Sequence, residues 1–270
     1  MKKAKRKAPE PKRILNVNES KGREHDWGFD VDRASTRNTT TGKDVDYRKG
    51  FYARVEDQKD TGACVGYAVG DLIRFMFVKA GRISWREKLS FMWLWVNAKE
   101  TDKHTSYPSA TMESAGTFLK AALDIARKFG VIADKFQRMG RTIKGQPQAI
   151  LAKAAELKII SYYALSFWGR EFGLEGVDYW LENHGPIVTR LNVDKGFMKP
   201  SRKKDFVLER YGGGMFGGHA VQVVAKRTRS GKKEYCVKNS WGRGWGYRGF
   251  LWVSEEYAKI AFTEAYGIKV

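Results

Sequence analysis

The chain has 270 residues, with 42% apolar and 13% aromatic side chains. That is enough to build a packed core, and it excludes wholesale disorder. The formal net charge is +20, from 50 Lys and Arg against 30 Asp and Glu. Such an excess favours encounters with anionic partners without naming one. Two cysteines, Cys64 and Cys236, exclude a disulfide scaffold and a cysteine-rich zinc site, and they fit a reducing compartment.

Residues 1–24 read as a basic, disordered arm. Within them, Lys2, Lys3, Lys5, Arg6, Lys7, Lys12 and Arg13 face one acid, Glu10, before residue 14. No apolar run follows the first lysines, so the start does not read as a secretory signal, and a cytoplasmic location is expected. No run of about 18 apolar residues occurs, so no helical membrane span is expected. Residues 25–50 are polar and irregular, with a turn cluster at Thr39-Thr40-Thr41-Gly42.

The clearest helix starts at Cys64. Val65, Ala68, Val69, Leu72, Ile73 and Met76 fall on one face, Phe75 and Phe77 widen it, and Gly81 suits its end. A second helix is predicted over 112–129, with Met112, Ala115, Leu119, Ala122, Ala126 and Phe129 on one face and Gly130 beyond. A third follows Pro147, a residue suited to a first helical turn. The second half changes character. Segments 159–167, 186–193, 219–226, 234–238 and 249–253 are short, rich in Val, Ile, Tyr, Phe and Trp, and bounded by Gly or charge. Helices first and strands second indicate an α+β fold of two lobes, about 55–158 and about 159–270.

Three places could carry chemistry. Cys64 sits where Gln58-Lys59-Asp60-Thr61-Gly62-Ala63 meets the first helix. Free N–H groups and the helix dipole there favour a thiolate nucleophile. The alternative is a small apolar residue packed at a helix start. His219 opens a strand after Gly217-Gly218, which leaves room for another chain to approach the ring; otherwise it is a structural histidine. Asn239-Ser240-Trp241-Gly242-Arg243-Gly244-Trp245-Gly246 is a glycine-spaced aromatic turn. It is either a plain turn or an amide that orients an imidazole behind a shield of indole. Cys236 is expected to face the core.

In this order, Gln58 with Cys64, Gly218-His219-Ala220, and Asn239-Ser240-Trp241-Gly242 with Trp245-Gly246, the chain resembles the papain family of cysteine peptidases. Residues 27–32 resemble, faintly, the lead-in of bacterial members. The resemblance implies a papain-like fold: a helical lobe with a central helix opening at the nucleophile, and an antiparallel, barrel-like strand lobe, together spanning 25–270. It implies Cys64 as nucleophile, His219 as its ion-pair partner and proton donor, Asn239 as the group that orients the ring, and Gln58 as an oxyanion donor with the Cys64 backbone N–H. Gly62, Ala63, Gly218, Trp241 and Trp245 would line the substrate. A polypeptide substrate is implied, with neither metal nor cofactor. The same site could serve deamidation, transglutamination or isopeptide cleavage, or the scaffold could be kept for binding. Val65 stands where the family often has Trp, and Thr61 where it often has a disulfide Cys. The cleft glycine pair is replaced around Ser106-Tyr107-Pro108-Ser109-Ala110, and no long helical propeptide pattern precedes Cys64. The arm is expected outside the catalytic unit, meeting an acidic protein or nucleic acid.

Overall fold

The computed structural model describes residues 12–28, 42–49, 54–101, 116–141, 143–165 and 172–270. Among the described residues, four α-helices lie in the first part: α1 (Cys64–Lys79), α2 (Phe91–Thr101), α3 (Leu119–Lys128) and α4 (Pro147–Ala155). α1 is the predicted central helix, and nearly every side chain from Cys64 to Phe77 is buried. Gly66 and Gly70, one turn apart, let α2 approach: a Cβ at Gly66 would lie 2.5 Å from the Phe91 carbonyl, and one at Gly70 2.5 Å from the Phe91 ring. Gly81, at φ +69°, ends the run in the left-handed region where glycine is at ease.

The predicted second helix is shorter than expected. Phe118 is extended (φ −123°, ψ 161°), and the helix begins at Leu119. The first residues of the predicted span, 112–115, lie outside the described residues, as do 29–32, 39–41 and the substituted cleft segment 106–110.

Among the described residues the second lobe is one sheet of eight strands: β1 (Val45–Asp46), β2 (Ser161–Ala164), β3 (Ile187–Val193), β4 (Val207–Leu208), β5 (Gly217–Arg229), β6 (Lys232–Lys238), β7 (Phe250–Ser254) and β8 (Phe262–Lys269). The order is β2-β8-β3-β5-β6-β7-β4, with β1 also on β5. Three helices interrupt it: α5 (Glu175–Asn183), α6 (Lys195–Met198) and α7 (Glu255–Ala261).

The barrel expectation needs correction. Among the described residues the sheet stays open, and β4 pairs with β7 in parallel. Its curl comes from bulges at Arg190/Leu191 and Val223/Ala225. It also comes from β5, which pairs with β3 through its first half and with β6 through its second.

Two large apolar cores result. One holds Cys64, Val65, Leu72 and the faces of α2 and α3; the other holds Trp180, Tyr235, Trp241 and Trp245. Cys64 and Trp241 thus belong to different cores, and the site between them lies on the seam. The Gln222 amide crosses that seam to the Ala68 carbonyl at 2.8 Å, and Lys238 pairs with Asp71 there.

Candidate active site

A short backbone ladder gathers the distant motifs. Gln58 N–H donates to the Ser240 carbonyl at 2.8 Å, and Gly242 N–H to the Glu56 carbonyl at 2.9 Å. Segment 56–58 therefore lies along 240–242, just after β6 delivers Asn239. The Ser240 hydroxyl donates to Gln58 Oε1 at 2.6 Å, and Gln58 Nε2 donates to the Thr61 carbonyl at 2.8 Å. An amide has two N–H donors, so one is left for a ligand. The Cys64 backbone N–H is a second, because the first N–H groups of a helix have no partner within it.

His219 Nε2 lies 2.8 Å from Asn239 Oδ1. The Ser240 backbone N–H, a donor only, also points at that Asn239 atom, at 2.7 Å. Oδ1 is therefore the acceptor, Nε2 carries the proton, and Nδ1 presents a bare lone pair. That Nδ1 is buried and has no hydrogen-bond partner. Trp241 stacks on the ring with centroids 4.7 Å apart, and Phe197 packs edge-on against both. The Trp245 indole N–H is fixed on the Phe197 carbonyl at 2.9 Å. Three aromatic side chains thus cluster about the imidazole. Gly62 and Ala63 lead into α1, and Ala63 is buried.

The N-terminal segment occupies the cleft. Val17 N–H donates to the Gly218 carbonyl at 3.2 Å, and Asn16 bridges Gly218 in parallel. Arg190 Nε donates to the Val17 carbonyl at 3.0 Å. A Cβ on Gly116, Gly217 or Gly218 would meet the carbonyl oxygens of Asn16, Leu15 or Val17 at 2.0, 2.4 and 2.1 Å. The room left beside His219 is filled by this chain's own backbone. Arg13 closes the other end: it donates to Asp57 at 2.9 Å and to the Trp241 carbonyl at 3.2 Å, with its guanidinium 5.5 Å above the Trp241 ring. Val17 is 2% exposed, and Cys64 and His219 are 0% exposed. Residues 12–24, expected within a disordered arm outside the catalytic unit, instead pack across the seam. The sequence signal for this was the apolar trio Ile14, Leu15 and Val17 inside a basic stretch.

Burial sets the protonation. It pushes the Cys64 thiol up to about 11, against the opposing pull of the backbone N–H groups of Ala220 and Val65. It drives His219 down to about 4, against the Asn239 bond, and the Arg13 charge lowers it further. Burial therefore favours the neutral thiol and imidazole over the ion pair while the segment is in place.

Among the described residues no group of three or more His, Cys, Asp or Glu is placed to hold a metal ion. No helix there is long and apolar enough to cross a membrane.

A thiol at the head of a central helix, an imidazole on the facing sheet and an amide behind it form one constellation on a two-lobed α+β fold. The chain belongs to the papain family of cysteine proteases, whose model matches residues 41–268. It is 23% identical over 208 residues to a cathepsin L-like proteinase of Fasciola hepatica, covering 77% of this chain and 58% of the relative. It is 36% identical over 68 residues to a gut-specific cysteine proteinase of Caenorhabditis elegans, covering 25% of this chain and 20% of the relative. The chain thus spans a fifth to under three fifths of these relatives. Xylellain, a cysteine protease from Xylella fastidiosa, shares the fold: TM-score 0.75 at 18% identity, covering 97% of this chain and 98% of that one.

Proposed function

We propose that the protein is a cysteine endopeptidase acting through Cys64, His219, Asn239 and Gln58. The observation that carries this is the Asn239–His219 bond, which leaves Nδ1 bare to accept a proton, one residue before the Ala220 N–H that reaches the Cys64 thiol. Cys64 gives its proton to His219 Nδ1, and the thiolate adds to the peptide carbonyl. The oxyanion takes hydrogen bonds from the free Gln58 N–H and the Cys64 backbone N–H. Collapse breaks the C–N bond, and the amine leaves with the proton from His219. Water, deprotonated by the same nitrogen, then cleaves the thioester to a carboxylate and the restored thiol. Gly218 and Trp241 would flank the bound polypeptide, with Ala63 and Gly62 under its reacting carbonyl and Trp245 behind.

Residues 13–17 hold the site shut in this reading, since nothing can reach Cys64 while Val17 is seated. An anionic partner for the basic arm is proposed for residues 1–11 alone, because Arg13 is engaged by Asp57. The test is cleavage of an internally quenched peptide library, with Cys64→Ala as control. Undiminished cleavage by that variant would sink the assignment.

A further inference from the structure

Two buried amides border one small cavity at the seam, and each is fixed at one end only. The Asn239 oxygen takes two hydrogen bonds, from His219 Nε2 at 2.8 Å and from the Ser240 backbone N–H at 2.7 Å. The Gln222 nitrogen donates to the Ala68 carbonyl at 2.8 Å. Backbone groups set both amide orientations, since an N–H can only donate and a carbonyl can only accept. What remains is Asn239 Nδ2, a donor, and Gln222 Oε1, an acceptor. Both atoms are buried, and among the described residues neither has a hydrogen-bond partner. Gln222 and Asn239 line the same cavity, of about 20 Å³, with Ala68, Ala220 and the Lys238–Asp71 pair on its walls. Tyr67 and Phe91 border both this cavity and a larger surface pocket of about 260 Å³. No described residue of 12–24 lines either, so the cavity adjoins solvent on a side that Val17 does not cover.

A free donor and a free acceptor on one cavity call for a small neutral molecule that both accepts and donates. A cation would meet the Asn239 N–H, and an anion the Gln222 oxygen. A water needs about 10–15 Å³ and two to four polar partners. The cavity has the room, the two amides supply two partners, and the Asp71 carboxylate offers a third. We infer that this cavity binds one structural water, which takes a hydrogen bond from Asn239 Nδ2 and gives one to Gln222 Oε1, and that Gln222 is thereby a positioning residue for the His219 ring. The chain of contacts runs from Ala68 through Gln222, the water and Asn239 to His219. It starts on α1, the helix that carries the thiol. β5 reaches α1 a second time two residues earlier, where the Ala220 N–H bonds the Cys64 sulfur. Two residues of strand advance about 6.8 Å and one helical turn about 5.4 Å. Ala220 and Gln222 therefore meet Cys64 and Ala68 in step. The water ties the pose of the imidazole to the helix that presents the thiol. The positioning role rests on the peptidase reading; the water site does not.

The test has two arms, both on the full-length chain. In the first, isotope-labelled Cys64→Ala is followed by NMR. A long-lived water contact is expected at the Asn239 side-chain NH2. It should vanish in an added Gln222→Met, which keeps the length of the side chain without its amide. In the same variant the His219 Nε2–H should exchange with solvent about tenfold faster, because the amide that holds it has lost its brace. No water contact, a contact that survives Gln222→Met, or an unchanged exchange rate each overturns the inference, whatever the chain cleaves. In the second arm, Val17→Asp, which unseats the covering segment, is assayed on a quenched peptide with and without Gln222→Met. A loss of about tenfold in kcat is expected, with KM little changed and the limbs of the pH profile moved, as a tilted imidazole requires. Added to Asn239→Ala, Gln222→Met should cost nothing further, since the amide it braces is gone. A full additional loss would make Gln222 only a tie between the lobes and overturns the positioning role. Should Gln222→Met fold poorly, Gln222→Asn, whose amide ends one methylene short, is expected to give the same pattern in both arms. If Val17→Asp cleaves nothing, the peptidase reading fails, and the first arm still decides the water site.

Discussion

The backbone N–H of Val17 donates to the carbonyl of Gly218 at 3.2 Å, one residue ahead of His219. The covering segment is therefore docked as a strand along the start of β5, and its anchor side chain shares the core that holds Cys64. Full burial of a valine is worth about 1.5–3 kcal/mol. Unseating it should raise access to the site by about 10- to 100-fold, at 1.4 kcal/mol per tenfold. Val17→Asp is expected to increase both peptide turnover and the rate of Cys64 alkylation by iodoacetamide over that range. Arg13→Ala should give a smaller gain, from loss of the Asp57 pair. If alkylation of Val17→Asp matches the parent chain, the segment does not guard the thiol.

Acid should release the same segment. Closed, His219 titrates at about 4 rather than the ordinary 6.5, because burial penalises the imidazolium. Open, it is hydrated and titrates nearer its ordinary value. Between these two values the open form binds more protons, so lowering pH through this window favours opening. A shift of that size corresponds to about 3 kcal/mol. The protection of the Val17 amide against hydrogen exchange, corrected for intrinsic rate, is expected to fall as pH drops from 6.5 towards 4. Protection that stays flat would show that His219 is not the coupled group.

Cys64, His219 and Asn239 could be found in the sequence because each sits in a short local pattern: a helix start, a glycine-led strand and an aromatic turn. The covering segment left only a faint trace, the trio Ile14, Leu15 and Val17, because its partners Asp57, Arg190 and Gly218 are far away in the chain. α2 was missed because Phe91-Met92-Trp93-Leu94-Trp95-Val96 is an unbroken apolar run, for which helical and strand periods are indistinguishable. The late start of α3 has a tertiary origin: Gly116, two residues before the extended Phe118, lies against the Asn16 backbone.

The second thiol should be silent. Cys236 lies in β6 opposite Ala225 and Trp252, fully buried, and burial pushes its thiol up to about 12. It belongs to a small separate apolar cluster with Phe75 and Val224. Cys236→Ser is expected to leave kcat/KM within about twofold while lowering Tm by a few degrees, since burying a hydroxyl among apolar side chains costs about 1–3 kcal/mol, offset in part by Arg48, which already bonds the thiol. Thermal unfolding and peptide turnover on the same sample check both halves. A large loss of turnover at unchanged Tm would give Cys236 a functional role that its burial argues against.

Ser240 should act on the reaction only through Gln58. Its hydroxyl holds Gln58 Oε1 at 2.6 Å, while the Thr61 carbonyl takes one of the two amide hydrogens. Together these contacts aim the remaining N–H. Gln58→Ala is expected to lower kcat by about 10²–10³, the loss typical of a missing oxyanion donor, with KM little changed. Ser240→Ala keeps the donor but loosens its aim, so a loss of about tenfold in kcat is expected. The decisive variant is the double one. If Ser240 works by orienting Gln58, then Gln58→Ala/Ser240→Ala is no slower than Gln58→Ala alone, because nothing is left to orient. Losses that add in the double variant would instead give Ser240 a separate role, most directly through its backbone N–H on Asn239 and the pose of the imidazole. The pH profile would distinguish that case, since a misaligned imidazole moves the limbs of the profile and a misaligned oxyanion donor does not.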